Sequence, residues 1–143
     1  MNPEFNKLVE TGKLIVFPKG KDLVEKELAV AKSDLLDAKA GFDAGRFKWS
    51  TIEGYYSMFH AARALIYSKS YRERSHYAVT IALKTLFVEE CLLDIRYVRD
   101  LMNAMNLREA ADYQAEFSQE GSEAVIKAAG DFIKTAARIL KLE

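Results

Sequence analysis

The chain has 143 residues, half of them hydrophobic, and 21 basic side chains balance 21 acidic ones. That length suits one folded unit with a substantial core. A formal net charge of zero excludes a global field drawing the protein to nucleic acid or membrane, so any such binding must come from a local patch.

Pro3 and Pro18 are the only prolines, which leaves the rest of the chain free to form long uninterrupted helices. Cys91 is the only cysteine, so no intrachain disulfide forms; its apolar neighbours predict a buried thiol rather than a nucleophile. Residues 1–18 lack a signal-peptide layout, and no apolar run approaches the roughly 18 residues a bilayer span needs. The expected location is the cytoplasm, without membrane association.

In chain order, residues 1–12 read as a short helical turn or a loose end. KLIVFP, 13–18, reads as an extended segment or brief strand punctuated by Pro18 and Gly20. The expected division is an N-terminal extension, 1–19, ahead of a bundle, 20–143. From 21 to 44, Val24, Leu28, Ala31, Leu35, Ala38 and Phe42 recur at steps of four and three, an amphipathic helix stopped at Gly45-Arg46. A second helix, 48–69, has the seam Ile52, Tyr55, Phe59, Ala62 and Ile66. SYRERS, 70–75, is a break. Ser75 caps a third helix, 76–90, burying Val79, Leu83, Leu86 and Phe87. A fourth, 95–113, turns Val98, Leu101, Met102 and Met105 inward. The last, 119–141, buries Val125, Ala129, Phe132, Ala136 and Leu140. The fold class is therefore all-α: an antiparallel up-and-down bundle of four to five helices, four long and one shorter.

The second helix carries another stripe at the same spacing: Glu53, Tyr56, His60, Arg63 and Tyr67. Residues so spaced share one helical face. The stripe reads either as a solvated face or interhelical polar network, or as one wall of a polar cleft. Between Arg63 and Tyr77, the cations Lys69, Arg72 and Arg74 interleave with Tyr67, Tyr71 and Tyr77, opposed only by Glu73. Cations neutralise phosphates and phenol rings stack on bases, so this is the best local patch for nucleic acid; the plainer alternative is an ordinary loop with solvated cations. Glu73 and His76 have the Glu-x-x-His spacing of di-iron bundles, but Ser57 stands where a second copy needs its Glu before His60. No metal site is expected. With no glycine-rich phosphate loop and no nucleophile elbow, no cofactor is expected either.

LREAADY, 107–113, sets Arg108 and Asp112 on an otherwise apolar helical seam, four apart and able to pair. At about 100° per residue, Tyr113 lies roughly 140° around from Arg108, so one helix does not readily bring both onto one small ligand. They converge across a two-fold axis or flank a cleft. Alternatively, Asp112 simply neutralises a buried Arg108.

Taken together, GYYSMFHAARALIYSKSYRERSHYAV, 54–79, followed by LREAADY and an Ala-rich final helix, resembles the HEPN domain, a family of small helical bundles of bacteria and archaea. The likeness covers roughly residues 20–140 and is most specific over 54–79. It implies a homodimer that binds RNA or a nucleotide, set in a toxin–antitoxin-like module with a minimal nucleotidyltransferase. It also implies, as an alternative, a metal-independent RNase toxin. The family's active motif is Arg, four to six residues, then His, in a dimer cleft; the Arg offsets phosphate charge and the His moves the 2′-hydroxyl proton. Arg108 matches the Arg, but Tyr113 stands at the His position, and a phenol pKa near 10 suits a general base poorly. A displaced His is then required, His76 or His60. The site residues that follow are Arg108, Tyr113 and His76 for chemistry, and Asp112, Tyr56, His60, Arg63, Arg72 and Arg74 for binding. A third reading is a protein-interaction module whose polar residues are interhelical hydrogen bonds.

Overall fold

The structure, a computed structural model, describes residues 2–143; residue 1 of the expected N-terminal turn lies outside them. Among the described residues the order is α1 Pro3–Glu10, β1 Leu14–Val16, α2 Gly20–Asp43, α3 Phe47–Ser68, β2 Tyr71–Glu73, α4 His76–Leu83, a π-helical turn Lys84–Val88, α5 Ile95–Gln114 and α6 Gln119–Leu140. The four long helices α2, α3, α5 and α6 with the short α4 form the helical bundle. Helix α3 is central, packing on α2, α5 and α6.

Sequence chemistry sets the helix ends. Gly45 takes φ 78°, the left-handed conformation that ends α2 without the Cβ penalty. Ser75, Asp94 and Ser118 accept backbone N–H bonds at the starts of α4, α5 and α6, each cap worth about 1 kcal/mol. Gly54 lets α3 approach α6 closely: a Cβ there would meet Val125 Cγ1 at 2.9 Å.

The expected seams of α2 and α3 are buried, except that Phe42 is only half-buried at the end of α2. Helix α5 differs. Its buried line is Val98, Leu101, Ala104 and Ala111, with the Arg108 side chain 11% exposed on the same line. Met102 faces solvent because it lies about 120° around from Arg108. Cys91 is exposed, contrary to the sequence expectation. It sits at φ 59° in the turn after the π-helical segment, outside any apolar seam.

The break at 70–75 contains a strand. β2 pairs antiparallel with β1, matching Leu14 with Glu73, Ile15 with Arg72 and Val16 with Tyr71. Leu14 and Glu73 are buried, whereas Arg72 is exposed and its partner Ile15 is half-buried in the cleft wall; Val16, at the end of β1, is exposed. Phe5 of α1 is buried beneath the ribbon, edge-on to Tyr71 at 5.2 Å between ring centres. Phe5 and Leu14 belong to the same apolar core as the bundle helices.

Candidate functional site: an arginine-lined cleft

The polar stripe of α3 meets the outer face of the ribbon and the first turn of α4. Between them lies an open cleft of about 700 Å³, with Tyr56, His60, Arg63, Arg72, Arg74 and His76 among its lining residues. Three guanidinium groups face one lining carboxylate, Glu73, and that carboxylate is already engaged. Arg63 grips it with a fork of two hydrogen bonds, Nε to Oε1 at 2.9 Å and Nη2 to Oε2 at 3.0 Å. Burial works against the Arg63 charge, but the Glu73 bonds outweigh it and raise its pKa. The Arg63 guanidinium also lies over the Phe59 ring at 4.7 Å. Arg72 and Arg74 are exposed, Arg72 resting over Phe17 at 5.4 Å.

The two histidines have different surroundings. His60 Nδ1 is 2.7 Å from Glu27 Oε2 on α2, and its Nε2 is 3.8 Å from Asp34 Oδ2. Asp34 is held above the usual carboxylate range by burial, against the favourable His60 charge. His76 instead stacks on Phe59 at 4.8 Å between ring centres, and its Nδ1 lies 2.7 Å from the Tyr55 hydroxyl. Burial first, and the Arg108 charge second, push the His76 pKa below the imidazole value. Burial also pushes the Tyr55 phenol well above its ordinary pKa. The Tyr55–His76 pair is therefore neutral near pH 7. If Nδ1–H donates to the Tyr55 oxygen, the other ring nitrogen keeps a lone pair free to take a proton.

Arg108, Asp112 and Tyr113 form a second cluster, behind Tyr56 rather than among the cleft-lining residues. Arg108 Nη2 donates to the Tyr56 hydroxyl at 2.7 Å and lies 3.2 Å from Asp112 Oδ2. Its guanidinium carbon is 5.1 Å from the Tyr56 ring centre, 5.9 Å from Tyr55 and 5.3 Å from Tyr113. The long Arg108 side chain thus bridges the arc that separates it from Tyr113 on the helix. Arg108 Nε is buried without a hydrogen-bond partner. Tyr113 itself is 73% exposed.

Tyr56 and Tyr55 link the two clusters, one touching Arg108 and the other bonding His76. Glu53 and Tyr67 of the α3 stripe do not line the cleft. Burial and the neighbouring Asp37 and Asp34 raise the Glu53 pKa, while Tyr67 is buried. Sequence reasoning took Tyr55 for plain core; its signal was the hydroxyl, which demands a partner once buried. Glu27 gave no such signal, because it lies on α2, 33 residues from His60.

A HEPN domain model matches residues 24–142. The chain is 28% identical over 119 residues to the protein named "Putative toxin MJ0605" of Methanocaldococcus jannaschii, an alignment spanning 82% of this chain and 89% of that one. It is 33% identical over 116 residues to the "UPF0332 protein" of Archaeoglobus fulgidus, spanning 78% and 92%. It is 24% identical over 119 residues to "Putative toxin MJ0142" of M. jannaschii, spanning 82% and 81%. With the helical bundle and a family match over five of its helices, this chain belongs to the HEPN domain family.

Proposed function

We propose that this chain is a toxin-type HEPN protein acting on RNA, with the cleft holding phosphate groups and His76 and Arg108 cutting the strand without a metal. The observation that carries the reading is the Tyr55 link: one side chain hydrogen-bonds His76 and lies against Arg108. Neutral His76 takes the proton of a 2′-hydroxyl as its oxygen attacks the adjacent phosphorus. The P–O5′ bond breaks as the P–O2′ bond forms, and the leaving 5′-oxygen takes a proton from water, giving a 2′,3′-cyclic phosphate and a 5′-hydroxyl. Arg108 donates to the Tyr56 hydroxyl, and that cleft-lining O–H, so polarised, donates to the phosphoryl oxygens on which negative charge builds. Arg72 and Arg74 supply phosphate contacts that need no particular sequence. The toxin names of two relatives support the toxin half of the reading.

The module implied by the family resemblance belongs to the same proposal: a second copy of this chain, and a minimal nucleotidyltransferase as partner. Exposed Leu107, Tyr113 and Phe117 near the end of α5 offer apolar surface for such contacts.

Binding without cleavage is the second reading. It is favoured by Asp112 and Tyr56, which already occupy Arg108. The deciding experiment incubates mixed cellular RNA with purified protein in EDTA, beside Arg108→Ala and His76→Ala. Cleavage lost in both variants is the expected result. Intact RNA that the protein nonetheless retains, less so after Arg72→Ala with Arg74→Ala, assigns it the binding role.

A further inference from the structure

A second cavity, of about 560 Å³, adjoins the cleft. It is lined by residues of α1 and the following turn, Glu4, Lys7, Leu8, Thr11 and Lys13, together with Ser75 and Tyr77. Ser75 lines both cavities, so they are neighbours at the start of α4. The ribbon joins them as well. Arg74 N–H donates to the Lys13 carbonyl at 2.8 Å, extending the ladder that pairs Ile15 with Arg72. Lys13, Arg72 and Arg74 are all exposed, and each alternates with a buried neighbour, Leu14 or Glu73. The ribbon therefore presents a row of three cations that starts in the arginine-lined cleft and ends in the second cavity, where Lys7 adds a fourth.

Tyr77 lines the second cavity with Lys7 and Lys13, and His76, next to it in sequence, lines the first. Tyr77 is 57% exposed, a large ring left open to solvent. Its hydroxyl donates to Glu4 Oε2 at 2.8 Å, which fixes the ring without covering it. Glu4 is the one acidic residue lining the second cavity. A row of cations beside a fixed, exposed aromatic ring is the chemistry that recognises single-stranded nucleic acid. Phosphates follow the cations, and a base stacks on the ring.

We propose that the second cavity is an RNA subsite, so that the ligand is a single strand engaging both cavities, its phosphates along Arg72, Arg74 and Lys13 and a base stacked on Tyr77. This rests on the RNA reading above, and it gives the N-terminal segment a binding role. A lone nucleotide would fill only the first cleft, whereas a strand engages both cavities.

The test is fluorescence anisotropy with end-labelled oligouridine, a dinucleotide against a strand of about eight nucleotides, within the roughly 4–16 nucleotides typical of small single-strand binders. The protein is the full chain, wild type and three variants: Tyr77→Ala, Tyr77→Phe, and Lys7→Ala with Lys13→Ala. Arg72→Ala with Arg74→Ala serves as the control for the first cleft. The wild type is expected to prefer the longer strand. Tyr77→Ala is expected to weaken octanucleotide binding about tenfold, the worth of one stacked base, the double lysine variant is expected to weaken it through lost phosphate contacts, and both are expected to leave the dinucleotide unchanged. Tyr77→Phe keeps the ring but loses the Glu4 bond, and is expected to bind like the wild type. Equal affinity of wild type and Tyr77→Ala for the octanucleotide, with the arginine control still weakened, overturns the subsite and leaves the RNA reading standing. Loss in Tyr77→Phe as large as in Tyr77→Ala also overturns it, since the effect then runs through Glu4 and not through stacking. No binding of either strand by the wild type overturns both.

Discussion

The end of α5 and the ribbon cleft carry similar side chains in opposite states. At the end of α5, Arg108 is nearly enclosed and tied to Tyr56 and Asp112. In the cleft, Arg72 and Arg74 project into open space beside a neutral histidine. The stretch with the stranger sequence, LREAADY, is the one whose charges are met internally. SYRERSH, which the sequence offers either as a basic patch or as an ordinary loop, makes the open basic surface. Charge on a buried seam must find partners within the fold or destabilise it, while charge on the outer face of a strand is left free for a ligand.

The largest expected effect comes from breaking the Arg63–Glu73 pair in the cleft wall. The Glu73 side chain is 4% exposed and relies on the Arg63 fork. Arg63→Ala leaves a buried carboxylate with no strong partner, and breaking such pairs costs about 3–5 kcal/mol. Urea unfolding should show a midpoint lowered accordingly. A loss below about 1 kcal/mol would mean that water or a lysine reaches Glu73, and that the cleft wall is softer than its geometry suggests.

Next is Arg108→Ala, which sharpens the comparison from the other side. If this enclosed arginine still stabilises charge on a reacting phosphate, cleavage should fall about 100- to 1,000-fold, the usual cost of losing one such donor. Stability should change less than for Arg63→Ala, because Asp112 is part-exposed and readily solvated. Unchanged cleavage with lowered stability would make Arg108 structural and leave the chemistry in the cleft.

Third, Arg72→Ala with Arg74→Ala should weaken RNA binding uniformly across sequences. The slope of log affinity against log salt should flatten by about 1.4, since each phosphate contact to a single strand contributes about 0.7. An unaltered slope would show that these exposed cations stay solvated when RNA binds.

The helical bundle was legible in the sequence because its signals are local. Steps of three and four locate the seams of α2, α3 and α6, apart from Phe42 and Leu140, which are half-buried at helix ends, and Ser75 and Gly45 mark helix ends within a residue or two. The ribbon was half legible. KLIVFP reads as a strand, but its partner lies some 57 residues away in a segment too short and too charged to show strand periodicity. For the site, the α3 stripe and the basic-aromatic stretch named the cleft-lining residues by type and spacing. What a single sequence does not display is which of them meet. The Tyr55–His76 bond spans 21 residues and the Arg108–Tyr56 bond 52, and each depends on helix packing rather than on any local pattern.

A smaller effect follows from His76. Its folded-state pKa is lowered, so the unfolded chain binds the proton more readily. Its contribution to stability is thus present above the unfolded value of about 6.5 and lost as pH falls through the lower folded value. Thermal melts at pH 7.5 and pH 5 should show a larger drop for wild type than for His76→Gln; taking this difference cancels the titration of Asp34 and Glu53. Cleavage should follow the same group, rising with pH only below about 6.5 and level above it. An acidic limb centred above that value would assign the proton transfer elsewhere.

The smallest expected effect is at Tyr113, where the family motif has its histidine. Tyr113 is largely exposed, and its recorded contact is the Arg108 guanidinium 5.3 Å from the ring centre. Exposed contacts of this kind are worth about 0.5–1 kcal/mol. Tyr113→Ala should therefore leave stability within about that range and cleavage nearly unchanged, even though the residue stands at a motif position. On the cleavage reading proposed above, the proton acceptor is His76, which is linked to Arg108 through Tyr55. If Tyr113→Ala abolished cleavage while Arg108 and His76 remained in place, the phenol would be part of the chemistry. The α5 cluster, not the ribbon cleft, would then be the reacting centre. The comparison between the two regions would reverse, with the enclosed arginine marking the site of reaction and the open ones serving only to gather the strand.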